Sequence, residues 1–445
     1  MSYCKEVIRI GCKRMTNMDE KVKSENIMNK NSKDSKDNKK SKKNNNKKKN
    51  KTGSLILKID IALAIIIFFG IFYTSFLSPL KLNGENQVSH KMGTKYVDAG
   101  SNHRFAKLEG KVNVNKEGEY VIKYKLLNQS VERKVFVVDD SRIVMGLKGA
   151  SHAQVREGDP YVESGAFVID KEKGPIKEDL IKIKGRVDSS KVGIYKVKYT
   201  YEQGGINKSM TREVEVVDKD SFDEDKDGIS VMMYHYVYTE EEPPNKINSN
   251  YILAKDLEEQ FKYLKESGYY FPSFRELKAY IDGKIALPAK SVVLTFDDGQ
   301  YGFLKYGIPL AEKYKIPITA YLIGTKNGAE IVKQNASTYV QFQSHSYNMH
   351  RAGGNIGHNG IISAMSKKDI VSDLKKSISE IGNNESFAYP FGDYTEDAKE
   401  ASEEAGIICS FTTEYDRVRR GSDYRILPRI RVSGDNIFNT WKQSL

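Results

Sequence analysis

Apolar positions fall into three patterns along the chain, and each predicts a different kind of element. Between Asp60 and Lys81 lie 20 uncharged residues, Ile61 to Leu80. A helix rises about 1.5 Å per residue, so roughly 20 residues cross a bilayer core of about 30 Å. The stretch 54–80 is therefore expected to be a transmembrane helix. Farther on, Tyr120, Ile122 and Tyr124 alternate with Val121, Lys123 and Lys125, as Tyr195, Val197 and Tyr199 do with Lys196, Lys198 and Thr200. A period of two buries one face of a strand and leaves the other largely wet. From Gly228 onward, short apolar runs alternate with helical patterns. Ile229 to Val237 is apolar, and Leu257, Phe261 and Leu264 mark a helix ended by Gly268. Further strands are read at Val292, Ile318, Tyr339, Phe387, Ile407 and Ile426. The helix after Ser366 has Asp369 at capping-box distance and sets Ile370, Leu374, Ile378 and Ile381 on one face. This rhythm predicts a parallel α/β sheet or an irregular (β/α) barrel over residues 229–445.

The alternating segments belong to an internal repeat. Tyr96-Val-Asp-Ala-Gly100 returns as Tyr161-Val-Glu-Ser-Gly165, Lys116–Lys125 returns as Lys191–Thr200, and VFVVD ending at Asp139 returns as VEVVD ending at Asp218. The offsets grow only between the matched blocks, so insertions fall in loops and strands stay matched. Two small all-β sandwiches, 81–140 and 145–218, fit this pattern, which resembles the bacterial Ig-like modules of surface proteins. They are read as spacers, with carbohydrate or wall binding as the sharper alternative. Residues 219–228 then form an acidic linker. Asp223, Asp225, Asp227 and Gly228 match the opening of a calcium loop, but position twelve is Tyr234 and not Glu, so a solvated linker is expected.

Charge sharpens the picture of the N-terminus. Residues 1–53 hold 17 Lys/Arg against 6 Asp/Glu, in a chain with 71 against 59, so almost the whole net charge of +12 sits in this tail. Its Lys-, Asn- and Ser-rich part cannot bury enough apolar surface to offset ordering entropy, and a disordered basic tail is expected. Lysines before an apolar helix place the N-terminus in the cytoplasm and the rest of the chain outside, as a single-pass membrane protein. A cleaved signal is the rival reading, but the lead is long and no small-x-small site is obvious. The folded part is nearly neutral, which argues against nucleic acid as a partner. Cys4, Cys12 and Cys409 offer neither a disulfide framework nor metal-ligand spacing, and Cys409 reads as a core residue.

The chemistry concentrates at Val292 to Gly299, VVLTFDDG. A buried strand here delivers Asp297 and Asp298 to the carboxyl edge of a sheet, where open parallel sheets keep their sites. Two adjacent carboxylates repel, which suggests a bound cation or a shifted pKa. A second motif follows another strand: Ser344-His345-Ser346-Tyr347-Asn348-Met349-His350. Imidazoles at i and i+5 lie about 140° apart on an ideal helix, but from a loop they can converge. With one carboxylate they make a set that leaves a divalent metal open to water.

TFDDG, HSYNMH and Phe387-Ala-Tyr-Pro-Phe-Gly392, in this order and each at a strand end, resemble the polysaccharide deacetylases of the nodulation-protein type, carbohydrate esterase family 4. The resemblance covers about residues 229–445. It implies that Asp297 is a general base and that Asp298, His345 and His350 hold the metal, taken to be zinc. Three features depart from the common pattern. The histidines are spaced i, i+5, Ala388 stands where an Arg is usual, and no histidine follows His358. Met233-Tyr-His-Tyr236 and Leu427-Pro-Arg-Ile-Arg-Val432 look more like the branch acting on poly-N-acetylglucosamine, in which the early histidine, here His235, supplies the acid. Tyr389 and Phe391 would support the cleft, with a backbone N–H near Phe391 for the oxyanion, and Arg429 or Arg431 would orient Asp297. The expected function is metal-dependent N-deacetylation of N-acetylglucosamine units in peptidoglycan at the outer cell surface. The alternatives are a poly-N-acetylglucosamine exopolysaccharide as substrate, and a catalytically decayed wall-binding protein.

Overall fold

A computed structural model describes residues 58–70, 73, 78–435 and 438–445. The expected basic tail over 1–53 lies outside the described residues, as does part of the expected membrane span over 54–80. Residues 58–70 are helical, and among the described residues no helix is long and apolar enough to cross a membrane.

The repeat folds as its alternation requires, though the two copies differ in extent. In the first, strands Gly118–Leu126 and Gln129–Val138 form a hairpin flanked by Lys107–Glu109 and by a parallel partner, Gln87–Lys91. Ile122, Tyr124 and Leu126 point inward from the hairpin while Val121 and Lys125 stay exposed. The second copy repeats this sheet with His152–Arg156, Ile181–Lys184, Gly193–Gln203 and Ile206–Val217. It adds a second sheet, Ile143–Leu147, Ala166–Asp170 and Gly174–Ile176, and the two sheets enclose one core. The expectation of two sandwiches therefore holds for the second copy alone. The first is a single four-stranded sheet among the described residues, because its chain between Lys91 and Lys107 supplies no further paired strand.

Seven parallel strands form the C-terminal half, ordered Cys409–Phe411, Ser386–Ala388, Val340–Ser344, Ile318–Leu322, Val292–Phe296, Ser230–Tyr234 and Ile430–Arg431. A parallel bridge between Phe411 and Leu427 joins the chain before the last strand to the first. The sheet thereby closes into the irregular barrel expected from the rhythm of the sequence. All five residues of Val292–Phe296 are buried, as a strand covered on both faces demands. Helix Lys367–Ile381 begins at Ser366, whose side chain accepts from Asp369 N–H, and ends at Gly382 in the left-handed conformation. Cys409 is fully buried, as expected of a core residue.

The acidic linker departs from expectation. Asp225 N–H donates to Leu287 O, Ala289 N–H donates to Asp223 O, and the buried Asp225 carboxylate accepts from Gly228 N–H and Tyr280 Oη–H at 3.0 and 2.6 Å. These bonds pin the segment to the barrel, so it is neither a solvated tether nor a calcium loop.

Candidate active site

Carboxyl ends of the parallel strands converge on a cleft of about 240 Å³ lined by His235, Asp297, Asp298, His345, His350, His358, Phe391 and Arg431, among others. Strand Val292–Phe296 feeds Asp297 directly, with Asp297 N–H donating to Tyr234 O of the neighbouring strand. The chain then turns sharply. Asp298 takes φ = 74° and Gly299 φ = 62°, and a Cβ at Gly299 would come within 2.5 Å of the Leu322 side chain. Left-handed backbone at a non-glycine residue persists only where its surroundings enforce it, and such residues gather at functional sites. Ser346 (φ 72°) and Phe391 (φ 63°) share it.

The two aspartates have different surroundings. Asp297 is 2% exposed, and fully buried Arg429 donates to both its oxygens at 2.8 and 2.7 Å. Burial would raise the Asp297 carboxyl, but the Arg429 guanidinium outweighs it and holds the group below the usual carboxylate range. Arg429 is fixed in turn by Thr295 Oγ1 and Thr412 O. Asp298 accepts from Tyr236 Oη–H through Oδ2 at 2.9 Å. Its Oδ1 is buried without a hydrogen bond, 3.2 Å from His350 Nε2 and 3.6 Å from His345 Nε2. Burial again opposes ionisation, yet His350 and His345 keep the Asp298 carboxyl well below its ordinary range.

His345 Nδ1–H donates to Ala388 O at 2.7 Å, which fixes the tautomer and leaves the Nε2 lone pair facing Asp298. Burial pushes this imidazole down to about 4, so it is neutral and able to ligate. The loop to His350 is held by Asp373 on helix Lys367–Ile381, whose oxygens accept from Tyr347 N–H and Asn348 N–H at 2.7 and 2.8 Å. Ligand atoms of Asp298, His345 and His350 all lie within 4.8 Å of one another. An orphaned carboxylate oxygen facing two imidazole nitrogens fits a divalent cation, because an unpaired buried oxygen is otherwise costly.

The remaining expected residues divide. His235 directly follows strand Ser230–Tyr234 and lines the cleft, with Nδ1 buried and unpaired. Burial lowers its pKa, opposed by the charges of Asp297 and Asp298. Phe391 lines the cleft and stacks at a tilt on His350, 4.5 Å between centroids. Arg431 does not orient Asp297; it donates to Asn250 Oδ1 at 2.5 Å, and Arg429 holds the aspartate instead. Tyr389 lines the cleft as expected, and its ring packs with the apolar cluster of Phe387, Leu374 and Met349 behind it. His358 is mostly exposed, with Nδ1 3.3 Å from Asp393 Oδ1, and Asp393 also accepts from the backbone of His358 and Gly360. Asn250 and Asp373 belong to no motif in the sequence, and Tyr236 stands there only as the last residue of Met233-Tyr-His-Tyr236. Period two sets Tyr236 on the same face as buried Tyr234, but the strand breaks at His235 and a new one, Tyr236–Tyr238, pairs with Tyr251–Leu253. That break re-aims the hydroxyl toward Asp298.

A parallel barrel with these groups at its carboxyl edge defines an amide hydrolase of the polysaccharide deacetylase class, and residues 284–409 match the polysaccharide deacetylase family. The chain thus carries a polysaccharide deacetylase domain, and residues 145–216 match the bacterial surface protein Ig-like domain. Among its relatives is a poly-beta-1,6-N-acetyl-D-glucosamine N-deacetylase of Staphylococcus aureus, 28% identical over 204 residues that cover 42% of this chain and 69% of that protein. Solved structures similar to it include the Streptococcus pyogenes deacetylase PplD (22% identity, 49% of this chain and 97% of that one, TM-score 0.43). IcaB from Ammonifex degensii is another (24% identity, 49% and 96%, TM-score 0.41).

Proposed function

We propose that the protein removes acetyl groups from N-acetylglucosamine units of a β-1,6-linked exopolysaccharide, using a divalent metal, zinc, held by Asp298, His345 and His350. The observation that carries this reading is the unpaired Asp298 Oδ1 facing two imidazole nitrogens beside an arginine-clamped Asp297. A metal held by these three residues would supply a Lewis acid for the acetamide carbonyl and for water. Asp297, kept ionised by Arg429, takes the proton from the attacking water. The backbone turn at Phe391 lines the same cleft and would offer an N–H to the carbonyl oxygen as charge develops there, and His235 gives a proton to the departing amine.

The name of the staphylococcal relative and the early Met-Tyr-His-Tyr motif support the exopolysaccharide. Peptidoglycan ranks second, on the expected anchor and on the Ig-like modules. The catalytic half would face outward, with the lysine-rich N-terminus in the cytoplasm. Purified full-length protein, loaded with zinc, should release acetate from β-1,6-linked N-acetylglucosamine oligomers faster than from purified peptidoglycan. The reverse order would make the wall the substrate, and no release from either would leave a decayed site. Metal analysis should find about one equivalent per chain, lost in His350→Ala.

A further inference from the structure

The repeat contains its own control. At an offset of 65, Lys81-Leu-Asn-Gly-Glu85 aligns with Gly146-Leu-Lys-Gly-Ala150, and Ala99 with Ser164. The structure confirms the equivalence through one buried arginine per copy. Arg133 donates to Asn83 O and Glu85 O at 2.6 and 2.9 Å, and Arg212 donates to Lys148 O and Ala150 O at 2.6 and 3.1 Å. Gly84 and Gly149 sit between these acceptors with φ of 81° and 72°. On this shared scaffold the copies differ where the second meets the barrel.

Lys81 is exposed, whereas a Cβ at its counterpart Gly146 would stand 2.4 Å from Thr338 O of the barrel. Asn83 is exposed, whereas Lys148 is 5% exposed at its side chain and pairs with Glu385 of the barrel at 2.8 Å. Arg275 of the barrel reaches the same Glu385 at 2.6 Å and Glu178 of the second copy at 2.8 Å, closing a ring of alternating charge across the junction. Ser164 Oγ–H donates to buried Glu276 at 3.0 Å, inside the capping box that starts helix Phe274–Ile281. A Cβ on Gly84 would meet only Ala99 at 4.0 Å, but one on Gly149 would lie 2.7 Å from Ser273 N and 3.1 Å from Phe271 O. Ile169 joins the same apolar cluster as Phe342 and Ile381 of the barrel, with Phe167 packed beside it. The linker adds Glu224, which binds Arg156 of the second copy and Arg420 of the barrel.

These contacts gather at the amino ends of the barrel strands. Thr338 precedes Val340–Ser344 and Glu385 precedes Ser386–Ala388, whereas the cleft lies beyond the carboxyl ends. In (β/α) barrels the amino end serves stability and the carboxyl end chemistry.

We infer that the second Ig-like module is the fixed base of the deacetylase barrel, evolved from a repeat whose other copy lacks these junction contacts at the equivalent positions, and that residues 143–445 form one folding and functional unit. Removing the module would expose the apolar side chains of Phe342, Ile381 and Phe271 to water and leave Glu385 with Arg275 as its remaining basic partner.

Trp441 provides the readout, being the chain's single tryptophan, 1% exposed in the barrel and bonded to Tyr234 Oη at 3.1 Å. Gly84→Ala and Gly149→Ala impose the same left-handed strain on equivalent turns, but only the second forces Cβ into the barrel. In the full chain, thermal unfolding followed by Trp441 fluorescence should fall by about 5 °C or more in Gly149→Ala and stay at the wild-type midpoint in Gly84→Ala. Equal midpoints in both variants would overturn the inference. If Gly149→Ala does not fold, a protease site placed in the exposed segment Lys219–Ser221 of the full chain decides the matter. After cleavage the two fragments should travel together on gel filtration, and separate elution would make the module a spacer.

Discussion

Asp297 and Asp298 are adjacent and chemically identical, and their neighbours separate their tasks. Arg429 occupies both oxygens of the first, while the second keeps Oδ1 for a cation. Asp297→Asn should retain the metal, because no ligand changes, and lose about 10² to 10⁴ in rate, because an amide cannot accept the proton. Near-normal turnover with metal bound would reduce Asp297 to a structural residue. For the acid, His235 and His358 both face the cleft, but only His235 is held at a strand end with a buried, unpaired Nδ1. His235→Gln should lower kcat about 10²-fold with metal content unchanged, and His358→Ala should stay close to wild type; the opposite pattern would move the proton donor to His358. The motif residues were legible in the sequence because each follows a run read as a strand and because the three motifs, in their order, resemble those of the deacetylases. Arg429 and Arg431 were not separable, since residues two apart on a strand point to the same side and only their depth along it distinguishes them.

The loop from His345 to His350 shows what an element adds to its residues. A spacing of five cannot converge on a regular helix, and the structure solves this with left-handed Ser346 and a carboxylate staple from Asp373 to two consecutive amides. Asp373→Ala should therefore weaken metal retention by about 10- to 100-fold, read as competition against a chelator with His350 still in place. Unchanged retention would mean that the loop holds its shape through the bonds from Gly324 and Thr325 to Ser346 O and Tyr347 O alone. Nothing in the local pattern marked Asp373, because it is a polar position on an amphipathic helix, 26 and 25 residues from its partners Tyr347 and Asn348. The alternation that revealed strands in both repeats was equally silent about how many sheets each would build, since period two reports which face is buried and not what covers it.

For the whole chain, the proposed topology makes a prediction with the three cysteines. A membrane-impermeant maleimide should label Cys4 and Cys12 only after cells are permeabilised, while Cys409, fully buried, should stay unlabelled in both conditions. Labelling of intact cells at Cys4 or Cys12 would reverse the orientation. The pinned segment Asp223–Gly228 changes where such a chain can be divided. By sequence it is the obvious seam, acidic and placed between two differently patterned halves. By structure its backbone is bonded to Leu287 and Ala289, and its Glu224 straddles the two halves. Recombination that exchanges catalytic domains between genes would succeed poorly at that seam, and better near residues 140–143, where the modules meet through partly exposed ion pairs such as Lys208–Asp140 and Arg142–Glu117. Chimaeras joined at the earlier point should be soluble, and those joined at the linker should aggregate. For this chain, then, the unit of inheritance is longer than the unit of chemistry.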